Sequence, residues 1–294
     1  MTLLAAPTEI SLRRILFATD LSPGLNGALE CAIGLSRRFG ATVYTVNVVQ
    51  AEITDNVHPP DPFYSLHCAE NKLKNLGDSA RFQGIEHHEL VAEGVVSDVL
   101  PELIDRLGID LIVLGTHARV GVKKLVLGSV AEQILRLVTC PVLTVGPEVP
   151  EELLEQAVFR QILYTTDLQP GSANALAYAL WLAEKHNAHL TLLHVMPTAA
   201  DAAQAYSESD KDRAINRLRK LLPSEQVPWS GTEFIVEAGV PATIILKLSG
   251  ARKVDLIIGG ARRTGYPEIW SHVPWFTAHQ VLSHARCPVL TVRD

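Results

Sequence analysis

The sequence predicts an α/β protein of two tandem domains, each a doubly wound, five-stranded parallel sheet with helices on both faces. The first observation behind this prediction is an internal repeat. The hexapeptide CPVLTV occupies residues 140–145 and again residues 287–292, which lie 147 positions apart in a chain of 294. Asp20 and Asp167, which follow the first predicted strand of each half, show the same spacing. A chain that repeats itself at half its length is a duplication of a unit of domain size.

The second observation is the alternation of short β-rich runs with helical patterns. In the first half the runs RILFAT, ATVYTVNVV, HHELVAEG, DLIVLG and CPVLTV are rich in residues that favour strands. Amphipathic stretches between them end at Gly40 and Gly108, and glycine is the residue that most often terminates a helix. The first, fourth and fifth runs are almost wholly apolar, which is typical of strands in a parallel sheet that is covered on both faces.

The repeat also gives the domain boundaries. We expect the first domain at residues 1–146, a linker at 147–159 and the second domain at 160–294. The prolines and glutamates of the linker indicate an exposed crossover, with a short helix near residues 151–157.

Composition excludes several classes of function. A net charge of −6 and a pI near 6.0 argue against nucleic acid or an anionic membrane as a partner. No apolar run approaches the ~20 residues of a membrane span, and the N-terminus lacks the pattern of a signal peptide. The four cysteines show no metal-ligand spacing, so we expect no metal held by the protein's own side chains and a reducing, cytoplasmic location.

Ligands of doubly wound sheets bind at the carboxyl ends of the strands, where the strand order reverses. Asp20, Val48 and the loop that begins at Gly115 fall at those ends. Near the end of this loop, Ser129 and Glu132 have the spacing of a helix capping box. The N–H groups of such a first turn can bind an anion, although the same pattern also caps many helices that bind nothing.

At these residues the chain resembles the universal stress protein family in its tandem form. The nucleotide-binding members carry G-x2-G-x9-G-(S/T), which falls here on Gly115, Ala118, Gly128 and Ser129, with alanine in place of the second glycine. The resemblance extends over nearly the whole chain. It implies an adenine nucleotide alpha hydrolase-like fold, ATP or another adenine nucleotide as the ligand, and Mg²⁺ bound together with the ATP.

The resemblance also implies the role of each site residue. Asp20 would contact the adenosine part, Val48 would touch the adenine ring, and Leu114 would precede the first loop glycine. Val130 would supply its backbone N–H to phosphate. No catalytic residue is predicted, so hydrolysis is expected to be slow at most. The CPVLTV strands would pair with each other about a pseudo-two-fold axis, and a homodimer of the whole chain stays open.

The second half departs from this pattern. Trp275 and Phe276 stand where the first half has its Gly-Ser pair, and Arg263 stands at the position of Ala118. A capping box of Thr277 and Gln280 would start the helix one residue later, without an anion site. We therefore expect nucleotide in the first domain only.

Three functions stay open at this level. The leading one is a cytoplasmic, stress-response sensor or regulatory module that binds nucleotide. The second is a nucleotide-free interaction or scaffold protein, and the third is a ligase or hydrolase on the same fold.

The histidines and cysteines outside the loop are expected to have structural positions. His87 and His88 are expected at the surface or edge of the sheet and His194 at its rim, while the cysteines of CPVLTV are expected to act as small buried hydrophobes.

Overall fold

A computed structural model describes residues 10–21, 26–49, 62–116, 127–169, 173–198, 206–222, 231–261 and 272–293. The chain divides into two compact units. The first unit is Ser11–Ala157, and the second unit contains Val158–Asp294.

The first unit is a parallel sheet with the strand order β3-β2-β1-β4-β5. Its strands are β1 (Arg14–Ala18), β2 (Thr42–Val49), β3 (His87–Glu93), β4 (Leu111–Gly115) and β5 (Val142–Val145). Its helices are α1 (Asn26–Phe39), α2 (Pro62–Gly77), α3 (Val96–Leu107), α4 (Ser129–Leu137) and α5 (Glu151–Gln156), with one 3₁₀ turn at Ala80–Phe82. The strand order reverses at β1, so right-handed crossovers place α1 and α2 on one face and α3 and α4 on the other. This confirms the predicted fold class.

The second unit repeats this topology, with parallel strands in the order β10-β9-β6-β7-β8. Its strands are β6 (Gln161–Thr166), β7 (His189–Pro197), β8 (Thr232–Gly239), β9 (Leu256–Ala261) and β10 (Val289–Arg293). Its helices are α6 (Ala173–His186), α7 (Glu208–Arg219), α8 (Pro241–Ala251) and α9 (His272–His284). No helix in the described ranges is long and apolar enough to cross a membrane.

The central strands form the core of each unit. Ile15, Leu16 and Phe17 of β1 are each at most 1% exposed, although neighbouring residues of a strand point to opposite faces of the sheet. Both faces of β1 are therefore covered by helices. This accounts for the continuous apolar runs in the sequence.

A half-buried aspartate carboxylate ties the first and fourth strands of each unit together. Asp110, just before β4, accepts the backbone N–H groups of Arg13 and Arg14 through Oδ2 at 2.8 and 2.9 Å. Asp255 binds the N–H groups of residues 160–161 in the same way, at 2.7 and 2.8 Å. The duplicated motif D-L-I thus fixes how the two central strands enter the sheet.

The linker is packed against the first unit. The predicted short helix is present as α5, where Leu154 is 1% exposed and the following Ala157 is fully buried. A Cβ added to Gly34 of α1 would lie 2.7 Å from the carbonyl oxygen of Leu154 and 2.8 Å from that of Glu155. The prolines and glutamates of the linker are exposed, as predicted, but most of its apolar residues are buried, which the prediction of an exposed crossover did not include. The apolar residues among the glutamates form one buried helix face, and glycine on α1 lets the two backbones approach.

Candidate functional site

The turn after β1 presents Asp20 at the carboxyl edge of the first unit. The N–H of Thr19 donates to the Val46 carbonyl at 3.0 Å, which holds the turn against β2. The Thr19 hydroxyl accepts the N–H of Leu21 at 3.0 Å, and Leu21 adopts a left-handed conformation with φ of 59°. A leucine in this region is strained, so the hydrogen bonds over-determine the turn. The exposed Asp20 carboxylate consequently stands on a fixed backbone.

Asn47 of β2 adds a further contact to this turn, which the sequence analysis missed. Its side chain is buried, and Nδ2 donates to the Thr19 carbonyl at 2.8 Å. A polar residue inside the apolar run YTVNVV was the available indication. The half-buried Val48 follows, and β2 continues one residue beyond it. Strand β2 thus both positions the turn and places Val48 beside it.

The end of β4 forms the second part of the candidate site. Leu114 is 3% exposed and pairs with β1 and β5, and Gly115 is the last residue of the strand. The N–H of Thr116 donates to the Val145 carbonyl at 3.0 Å, which continues the ladder with β5. Residues 117–126, which include Ala118, lie outside the described residues.

The start of α4 forms the third part, and here the predicted capping box is wrong. Gly128 is the N-cap, with an extended backbone (φ −60°, ψ 146°), and Ser129 is already the first helical residue. The Gly128 carbonyl accepts the N–H of Glu132 at 2.9 Å, as an N-cap carbonyl does. The Glu132 carboxylate pairs with Arg136 at 2.8 Å, one turn further along the helix. It is therefore directed away from the helix start.

This helix start has the chemistry of an anion site. The N–H groups of the first turn have no carbonyl partner inside a helix, and the helix dipole adds partial positive charge. The N-cap Gly128 has no side chain to cover them, and Val130 is 46% exposed. Because β1 and β4 are neighbours, the Asp20 turn, the end of β4 and the start of α4 belong to one carboxyl edge at the strand-order reversal.

The second unit retains the turn but not the helix start. Leu168 has φ of 60°, its N–H donates to the Thr166 hydroxyl at 2.9 Å, and His194 takes the place of the buried asparagine on the neighbouring strand. Helix α9 begins at His272, so Thr277 lies inside the helix and the predicted Thr277–Gln280 cap is wrong. Pro274, the third residue of α9, is tolerated there, because an N–H in the first turn of a helix has no helical partner.

Helices α4 and α9 begin at different positions within the duplicated unit. At the 147-residue spacing, the first residue of α4 corresponds to Phe276, but α9 has already begun four residues earlier. Trp275 and Phe276 are therefore within a helix where the first unit has the start of one. Arg263 lies outside the described residues.

The predicted position of His87 at the edge of the sheet is confirmed, but its ring is buried. The residue lies on the terminal strand β3, and its side chain is only 7% exposed, stacked on Phe82 with ring centroids 3.7 Å apart. Nε2 lies 2.8 Å from the Thr45 hydroxyl, and burial lowers the pKa of the ring to about 4, with a smaller effect of the nearby His88. The aromatic ring and α2 cover this residue, so of the two predicted placements, surface or edge, the edge is the correct one. The side chain of His88 is 49% exposed, as predicted.

The cysteines and possible metal ligands are the remaining candidates for chemistry. Burial raises the pKa of the Cys140 and Cys287 thiols to about 12, and all four cysteines are free. Cys287 is buried, as predicted, whereas Cys140 is half-buried. Among the described residues, no group of three or more His, Cys, Asp or Glu side chains is arranged to hold a metal ion.

The strand order of the two units and the carboxyl edge of each sheet show that the chain is a tandem pair of doubly wound α/β domains. Each unit carries a fixed acidic turn at its strand-order reversal. The chain belongs to the universal stress protein family, whose sequence pattern matches residues 11–146 and 159–293, one copy in each unit.

Individual relatives agree with this assignment. A universal stress protein of Methanocaldococcus jannaschii is 30% identical over 139 residues, 45% of this chain and 81% of its own length. A Staphylococcus epidermidis relative is 31% identical over 159 residues, 52% of this chain and 96% of its own length. The crystal structure of a universal stress protein from Archaeoglobus fulgidus superposes with a TM-score of 0.72 at 19% identity, covering 95% of this chain and 98% of that one. This last likeness supports the fold.

Proposed function

We propose that this universal stress protein binds ATP or another adenine nucleotide in its first unit only. The observation that carries the proposal is the difference between the two helix starts. Helix α4 begins immediately after Gly128, with exposed surface at Val130, whereas α9 extends four residues further toward its N-terminus. An open helix end can donate N–H groups to phosphate, and a helix that continues through the same position cannot.

Every predicted site residue except Ala118, which lies outside the described residues, is assigned a role in this proposal. Asp20, on its hydrogen-bonded turn, would bind the adenosine part, and Val48 would contact the base. Leu114 and Gly115 would border the ribose at the end of β4. The N–H groups of the Gly-Ser-Val helix start would bind phosphate. The residues present fit the nucleotide, since the N-cap has no Cβ and the adjoining valine is exposed.

Mg²⁺ would be held chiefly by phosphate oxygens and water, as is usual for nucleotide-bound magnesium. We assign no general base to this site and expect slow hydrolysis at most. We infer a sensor or regulatory module rather than an enzyme. The four free thiols are consistent with action in a reducing cytoplasm.

A nucleotide-free interaction protein is the second candidate. Ala118 favours it, because a methyl group stands where the family motif has glycine and disfavours positive φ. The two candidates differ in one measurable property, the binding of nucleotide by the purified chain.

Calorimetric titration of nucleotide-stripped protein with Mg-ATP separates them. We expect about one site per chain, lost in Gly128→Trp, which copies the second half. Absence of heat and of thermal stabilisation in the wild type would favour the nucleotide-free candidate.

A charge substitution at the helix start tests the same site with a smaller change in side-chain volume than Gly128→Trp. Val130 and Leu137 are both 46% exposed and lie at opposite ends of α4. Val130→Glu places a negative charge beside the expected phosphates and should weaken ATP binding by about 1–3 kcal/mol, or roughly 5- to 150-fold. Leu137→Glu is the matched control and should bind ATP as the wild type does. Equal affinity of the two variants would place the phosphates elsewhere.

A further inference from the structure

Two side chains from different elements converge on one turn of the second unit. His194 of β7 donates from Nδ1 to the Thr166 carbonyl at 2.9 Å, and Arg217 of α7 donates from Nη2 to the Leu168 carbonyl at 2.9 Å. These carbonyls are two residues apart in the chain, so they lie within roughly 7 Å of each other. The turn itself is fixed by the bond from the Leu168 N–H to the Thr166 hydroxyl.

The hydrogen bond of His194 determines which ring nitrogen is available. A carbonyl oxygen only accepts, so Nδ1 carries the proton and the neutral ring has a lone pair on Nε2. Burial lowers the pKa of His194, the bond to the Thr166 carbonyl opposes this, and the charge of Arg217 lowers the pKa further. The ring is therefore neutral at neutral pH. Within the described ranges Nε2 takes part in no hydrogen bond, so it can accept one from a ligand.

Arg217 supplies a cation at the same place. Among the described residues no carboxylate lies within ion-pair distance of its guanidinium, which has five N–H donors in total. Asp167 stands between the two anchored carbonyls and is exposed, and its Oδ1 accepts the N–H of Gln169 at 3.0 Å. This nearby negative charge disfavours a doubly charged anion. A ligand with a single negative charge suits the combination.

We propose that Arg217, His194 and the turn at residues 166–168 form a binding site for a small hydroxy-carboxylate. The carboxylate would accept from the guanidinium, whose planar fork matches its geometry. The ligand hydroxyl would donate to Nε2 of His194. An α-hydroxy acid carries both groups on adjacent carbon atoms, and the two side chains that would bind them are anchored to carbonyls two residues apart. The site is separate from the proposed nucleotide site of the first unit.

The first test follows the Hε1 resonance of His194 by NMR in the full-length labelled chain. L-lactate is the probe, and acetate, which lacks the hydroxyl, is its matched ligand control. We expect a saturable shift with lactate at millimolar concentration and about fivefold weaker binding of acetate, the value of one neutral hydrogen bond. Absence of a saturable shift, or equal affinity for lactate and acetate, would overturn the proposal.

Variants assign the two contacts. Arg217→Gln should abolish binding of both ligands. His194→Asn should lower lactate binding to the level of acetate, and it should keep the fold, because Asn47 makes the equivalent bond in the first unit. In these variants binding is followed through the backbone amides of the turn. Arg213→Gln, on the same helix with a side chain 73% exposed, is the control and should bind lactate as the wild type does. Unchanged lactate binding in Arg217→Gln would refute the site.

Discussion

Replacing Gly34 by alanine should destabilise the first unit, although the same change usually stabilises a helix. Gly34 lies inside α1, where alanine is favoured over glycine by about 1 kcal/mol. At this position the added methyl group would lie 2.7 and 2.8 Å from the carbonyl oxygens of Leu154 and Glu155. These are backbone atoms of α5, so the contact cannot be relieved by a side-chain rotation.

The expected loss in the free energy of unfolding can be estimated from the side chain that α5 buries. To remove the overlap, α5 must move away from α1, which loosens the packing of Leu154, a side chain that is 1% exposed. Full burial of a leucine contributes about 1.5–3 kcal/mol, and overpacking costs typically 1–3 kcal/mol. After subtracting the helix propensity, we expect a net loss of about 1–2 kcal/mol, or roughly 2–8 °C in the melting temperature of this unit.

Gly250→Ala in α8 is the matched control, because a Cβ there meets no atom within 4 Å. It should leave stability unchanged or raise it by up to about 1 kcal/mol. Urea unfolding followed by circular dichroism, with resolved transitions for the two units, measures both variants. If Gly34→Ala is as stable as the wild type, α5 does not pack on α1 as described.

Three further predictions concern other elements. Asp110→Asn should cost the first unit about 1–2 kcal/mol in urea unfolding, since a charged acceptor of two backbone N–H groups is replaced by a neutral one; an unchanged midpoint would contradict this. Because the pKa of buried His87 is about 4 against an ordinary 6.5, the stability it contributes is present above pH 6.5 and is lost as the pH falls toward 4. His87→Gln should therefore reduce the slope of stability against pH in that window, by about 1 kcal/mol per pH unit, and identical slopes would refute the assignment. Charges introduced together at Val142 and Val289, on the terminal strands β5 and β10 of their own units, should enlarge the particle in X-ray scattering if the predicted pairing of the CPVLTV strands is correct.

The sequence was sufficient for the topology of each unit because duplication and apolar runs are properties of the chain itself. Five strands in each half, their parallel pairing and the reversal at the first strand follow from the alternation of elements. The short helix α5 was also predictable. Its packing was not, because the fit of Gly34 against two carbonyl oxygens depends on tertiary geometry that local composition does not encode.

The errors at helix ends have a related cause. Ser129 matched the pattern of an N-cap, but the preceding glycine takes the extended conformation and the helix begins one residue earlier than that pattern predicts. In the second half the Thr277–Gln280 pattern does not cap a helix, because α9 begins five residues before Thr277, at His272. The edge position of His87 was predictable, but its burial was not, because polarity alone cannot show that Phe82 covers the ring. Asn47 and His194 occupy the same place in the two halves, but the sequence did not show that both donate a hydrogen bond to the turn of their unit.

The packing of α5 has a practical consequence for dissecting the protein. The family match of the first copy ends at residue 146, but a fragment cut there would lack the helix that covers Gly27 and Gly34. Such a truncation would expose an apolar surface along α1, and exposed apolar surface promotes aggregation. A separately expressed first half should instead run from Ser11 to Ala157, with the cut between Ala157 and Val158.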